Sequence, residues 1–138
     1  MTEAIYYILS NNAAITAIVG SNIYPIRLPL NTQYPAITFQ LIDDIPVNQK
    51  TGRANYFNAR VQINCFAKDG PSYSGNYASI LLARAVKNAL ERIAINTYSG
   101  IYVQNTTLLS EQDLTDDNSD YEGVFFRSLD FNICHGAN

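Results

Sequence analysis

Ala59-Arg60-Val61-Gln62-Ile63-Asn64-Cys65-Phe66-Ala67 places apolar residues at odd numbers and polar ones at even numbers, with Phe66 the single exception. Successive side chains of a strand point to opposite faces. The alternation therefore predicts a half-buried strand, dry along Ala59, Val61, Ile63, Cys65 and Ala67 and wet along Arg60, Gln62 and Asn64. Two other segments repeat the pattern and are its expected sheet partners: Ile37, Phe39 and Leu41 against Thr38 and Gln40, and Leu129, Phe131 and Ile133 against Ser128, Asp130 and Asn132. A sheet that is apolar on one face needs a cover. Between Tyr77 and Ile95 the chain supplies one, with Ala78, Leu82, Ala85, Val86, Ala89, Leu90 and Ile93 on one helical stripe and Arg84, Lys87, Asn88, Glu91 and Arg92 on the other. Val61, Ile63, Phe39, Leu41, Phe131, Leu82, Val86 and Leu90 are thus expected to share one core.

Ahead of this unit, Ile5, Ile8 and Leu9 recur at helical spacing, with Thr2 as the expected N-cap and Glu3 in the first turn. Asn11-Asn12 interrupt the pattern, and a second short helix resumes with Ile15, Ile18 and Val19 until Gly20. Ile23 to Arg27 reads as a strand that Pro25 confines to a sheet edge. Asp43 to Asn58 reads as a long loop between strands, a kind of segment that more often carries function than structure. Asn96 to Gly100 reads as a turn before a strand that begins at Ile101 and runs irregularly to Leu114. Glu111 to Glu122 holds six of the twelve acidic residues and no basic one, which reads as a solvated loop. The last strand runs from about Val124 to Cys134, with His135 opening a tail. The sum is an α+β fold, an antiparallel or mixed sheet of four to five strands with helices packed on one face, in a single domain spanning 1–138.

Composition narrows the function. A net charge of −3, with no cluster of Lys and Arg, argues against a nucleic-acid binder, because phosphate binding needs concentrated positive charge. No apolar run is long enough to span a membrane, and Met1-Thr2-Glu3 lacks the basic start of a signal peptide, so a soluble protein made in the cytoplasm is expected. The lone histidine, His135, is too near the chain end to suit a catalytic base, and Cys65 and Cys134 sit in strand patterns where a thiol acts as a small hydrophobe. Asp43-Asp44 and Asp116-Asp117 do not have calcium-loop spacing. No enzyme, cofactor or metal site is expected.

With the residues in view, the chain resembles a known family. Glu3-Ala4-Ile5-Tyr6-Tyr7-Ile8-Leu9, Ile23-Tyr24-Pro25, Tyr34-Pro35-Ala36-Ile37-Thr38-Phe39-Gln40, the central strand, Ala85-Val86-Lys87-Asn88-Ala89-Leu90 and Phe126-Arg127-Ser128-Leu129-Asp130-Phe131 together resemble the tail completion, or tail terminator, proteins of long-tailed bacteriophages. The resemblance implies a structural virion protein, made in the host bacterial cytoplasm, that forms a ring of six copies at the head-proximal end of the tail. Its implied partners are itself, the tail tube protein and the head connector or head-completion protein. DNA would pass through without specific binding, and no membrane is involved. A head-tail adaptor, a tube component or a small cytoplasmic α+β enzyme are the alternatives. Interface candidates are Asp43, Asp44, Lys50, Arg53 and Tyr56 around the first loop, and Glu111, Asp113, Asp116, Asp117, Asp120 and Glu122 in the acidic segment. The acidic set would serve as a channel wall that repels DNA, as an exposed outer loop, or as a docking surface for a basic neighbour.

Overall fold

A computed structural model describes residues 1–47, 56–71, 74–115 and 124–136. The elements are α1 (Thr2–Ser10), α2 (Ala13–Val19), β1 (Ile23–Pro25), β2 (Ala36–Pro46), β3 (Tyr56–Lys68), α3 (Gly75–Glu91), β4 (Asn96–Tyr98), β5 (Ile101–Thr115) and β6 (Val124–Gly136). The strands form one mixed sheet in the order β1-β2-β3-β6-β5-β4, in which only the β1–β2 pair is parallel. The expected strand lies at its centre. It pairs with the two segments that share its alternation, Phe39 facing Ile63 on one side and Leu129 facing Ile63 on the other.

The sheet has six strands rather than four to five because Asn96 to Gly100 is more than a turn. Asn96–Tyr98 pairs with Ile101–Val103 around Ser99 and Gly100, whose φ values of 51° and 84° are both positive, as a two-residue hairpin turn that matches strand twist requires. The first long loop is shorter than expected, and the irregular strand expected to reach Leu114 takes up the start of the acidic segment. Asp43 to Pro46 and Tyr56 to Asn58 are paired strand, and Glu111, Gln112 and Asp113 pair with Leu129, Ser128 and Arg127.

All three helices lie on the dry side. Leu82, Val86 and Leu90 of α3 are fully buried in one cluster with Val61, Ile63, Leu129 and Phe131. Ser79 and Ala83 are buried too, so the stripe sits slightly to one side of the expected one, and Ala85, Ala89 and Ile93 flank it. Leu41 departs from expectation: it is on the helix face, opposite Val61, but is 37% exposed because β2 runs out past the helices. In α2, Asn12 accepts hydrogen bonds from the amides of Ala14 and Ile15, which explains the break between the first two helices. In α1 the cap position is Met1, not Thr2, and no side chain caps it.

The sheet curls around these helices, so that α1 touches both of its margins. Tyr6 packs on Phe39 of β2 at 6.2 Å and Tyr7 on Tyr98 of β4 at 6.5 Å between ring centroids. The opposite face, which no helix covers, is mostly uncharged and polar: Thr38, Gln62, Asn64, Ser128 and Asn132, with Arg60 and Asp130 paired at 3.1 Å.

Candidate assembly interface

The pairing registers spread the described interface candidates along the strands instead of gathering them at one place. β2 and β3 end at the Pro46–Phe57 pair, beside Gly136, whereas β5 and β6 end at the Thr115–Phe125 pair, beside Lys68. The thirteen-pair ladder between β3 and β6 separates them by about 40 Å. Asp43, Asp44 and Tyr56 belong to the first end, whereas Glu111 lies level with Ile63 in the middle of the ladder and Asp113 two residues further toward the second end. Lys50, Arg53, Asp116, Asp117, Asp120 and Glu122 lie outside the described residues.

At the first end a bulge decides which way the acids point. One extra residue, Ile42, sits between the Leu41–Val61 and Asp43–Arg60 pairs, so Asp43 falls on the polar face and Asp44 on the helix face. Asp44 reaches over Ala59, which is too small to obstruct it, and its carboxylate oxygens lie 2.9 and 3.1 Å from Nε2 of His135. The ring of His135 stacks on Phe57 at 5.4 Å, and its Nδ1 is 2.8 Å from the Gly136 carbonyl. His135 is therefore not in a tail: it is a strand residue, 2% exposed. Both ring nitrogens are occupied and no lone pair faces solvent, so this His–Asp pair joins β2 to β6 and has no means of activating a nucleophile. Nothing in the sequence pattern signals it, because the bulge that aims Asp44 at His135 is an irregularity of pairing.

From Leu41 onward β2 is exposed on both of its faces, including Leu41, Ile42 and Ile45, the last of these 56% exposed. Large apolar side chains on both faces of a strand mark a contact surface. A groove of about 560 Å³ opens on the polar face, where Ile26, Leu28, Leu30 and Tyr34 of the β1–β2 connection hang over Phe66 and Val124.

Toward the second end, Glu111 and Asp113 point to the helix face and are held within the chain. Glu111 accepts from Lys87 of α3 at 2.9 Å and from Nε of Arg127, and Arg127 also meets Asp113 at 2.9 Å. Partial burial works to raise the Glu111 carboxyl, but the hydrogen bonds and charges of Lys87 and Arg127 outweigh it and hold the group below the usual carboxylate range. A depressed folded value means stability that is present above the unfolded carboxyl range and lost as pH falls through the folded one. Glu111→Gln should accordingly cost about 1–2 kcal/mol at pH 7, with the gap to the parent closing below about pH 4. Denaturant midpoints at pH 7 and pH 3 measure this, and an equal gap at both would show that the carboxylate charge is not what holds the site.

The remaining groups with reactive potential are quiet. Burial, helped by the nearby Glu111 charge, pushes the Cys65 thiol up, and Cys65 and Cys134 are both free. Among the described residues no set of three or more His, Cys, Asp or Glu could hold a metal ion, and no helix is long and apolar enough to cross a membrane.

Exposed apolar strand, two opposed hairpin ends and a fully committed histidine define a protein built for contact with other proteins. The model of the family Tail completion protein gp17 matches residues 3–133, and the chain belongs to that family. It is a phage tail structural protein, a component of the virion and not an enzyme. Among solved structures, a chain of the virion of a native gene transfer agent particle is 18% identical, with 96% of this chain and 92% of that one covered at a TM-score of 0.76, which shows a shared fold. A second solved chain is 12% identical over 96% of this chain and 95% of its own, at a TM-score of 0.55. No curated protein sequence matches the chain.

Proposed function

We propose that residues 1–138 act as one unit, in a ring of copies that caps the head-proximal end of the tail tube and joins it to the head connector or head-completion protein. The family match over residues 3–133 carries this reading. The sheet geometry supports it. A subunit that sits between two different neighbours needs two separate contact surfaces, and the ends of the β3–β6 ladder offer them about 40 Å apart. Ring closure by identical copies requires two further unlike surfaces at the sides. In such a ring the acidic Asp116, Asp117, Asp120 and Glu122 are the residues left to form a DNA-repelling wall, because Glu111 and Asp113 are neutralised by Lys87 and Arg127.

Co-assembly with the tail tube protein tests the reading. Negative-stain electron microscopy of tubes grown with the purified chain should show a ring at one end and shorter tubes. Decoration along the whole length would indicate a tube component instead, and binding only to isolated connectors an adaptor.

A further inference from the structure

We propose that the exposed half of β2, Leu41 to Pro46, is a docking arm that seats on the outer face of α3 in a second copy of the chain; this rests on the ring reading above. On the polar face the arm presents Asp43, which forms no ion pair among the described residues, and Ile45 at 56% exposure, with Ile42 of the bulge 44% exposed just ahead of them; Leu41 lies on the helix face. It is poorly suited to accepting another strand at its edge. The bulge at Ile42 breaks the ladder spacing, and Pro46 has no N–H to donate. What it offers a partner is side chains.

The receiving surface has the complementary chemistry. Along α3 and its C-cap, Tyr77, Leu81, Arg84 and Arg92 recur at three-, four- and eight-residue intervals, opposite the buried stripe of Leu82, Val86 and Leu90. Tyr77 is 60% exposed and Leu81 38%, and neither arginine forms an ion pair among the described residues. An acid beside an apolar side chain, Asp43 and Ile45, thus meets a base beside an apolar side chain, Arg84 and Leu81, with Tyr and Arg among the residue types that anchor protein interfaces.

These halves cannot meet within one molecule. Asp43 pairs with Arg60 on the sheet face away from the helices, and the α3 stripe points outward from the opposite face. The contact is therefore between copies and joins unlike surfaces. Each copy keeps a free arm and a free helix face until the series closes into a ring.

Sedimentation velocity of the full chain at 0.1 M salt tests the docking, with circular dichroism melts as the control for folding. Ile45→Asp and Leu81→Asp should each weaken self-association about a hundredfold. Asp43→Arg and Arg84→Asp should each weaken it about tenfold, and combining them in one chain should recover most of the loss, because the pair is then reversed rather than removed. All four positions are exposed, so the melts should stay close to the parent's, with a small loss at Asp43→Arg, which faces Arg60 across the ladder. Association that survives either apolar substitution, or a charge pair that shows no recovery, overturns the docking, as does a parent chain that stays monomeric up to about 1 mM. The ring reading is judged separately by the tubes. Rings at tube ends that ignore these variants would remove the docking and leave the ring.

Discussion

Ile63→Asp should leave no folded protein. Ile63 is fully buried at the middle of the central strand, between Phe39 and Leu129, and it faces the α3 stripe. A carboxylate there has no charged or polar partner in the cluster, so it must either be buried unpaired or be protonated, and either costs several kcal/mol. That is comparable with the whole stability of a typical domain. The expected result is a chain without a cooperative melt, found in the insoluble fraction. A soluble Ile63→Asp protein that melts like the parent would mean that the core has been assigned to the wrong face.

Phe131→Ala should be the next most damaging change, at about 3–5 kcal/mol. Phe131 heads the largest fully buried side chains and sits between Val61 and Leu108 in the registers of β6 with its two neighbours. Its removal deletes apolar contact from both ladders, and the flanking strands are too firmly paired to close the gap. Phe131→Leu keeps most of the volume and should cost only about 1 kcal/mol. The contrast between the two, read from denaturant midpoints, separates loss of packing from loss of the aromatic ring. Equal costs would point away from a cavity.

The parts of the fold that were legible in the sequence are those governed by an unbroken period. The central strand and its two partners alternate cleanly where they cross the core, and α3 keeps its apolar stripe for four turns, so their pairing and their common face follow from residue order. Sequence reasoning lost its grip where a residue was inserted. Ile42 breaks the alternation of β2 in front of Asp43, Asp44 and Pro46, residue types that strands avoid, so paired backbone reads as loop. Two further bulges, between Val103 and Asn105 and between Leu108 and Ser110, are why β5 reads only as an irregular strand, and β4 has only three residues, too few for any period. His135 looked like a tail because its burial depends on Phe57 and Asp44, far away in sequence. Of the interface candidates, Glu111 and Asp113 read as free charge because their partners Lys87 and Arg127 come from another helix and another strand. The exposed apolar arm was hidden for the opposite reason: Leu41 continues a core pattern past the point where the helices stop covering it.

The long central ladder also bears on how such a subunit takes load. If its two ends are held by different neighbours, a pull between them runs along β3 and β6, at right angles to their hydrogen bonds. The rungs are then sheared together instead of being peeled one after another. Resistance rises with the number of rungs that share the force, and thirteen paired positions lie in that path. The two sheet margins, where β1 and β4 contribute three residues each, lie outside it. Strain at a junction between two larger assemblies would thus be borne at the middle of the sheet, while its margins stay free to adjust to adjacent copies.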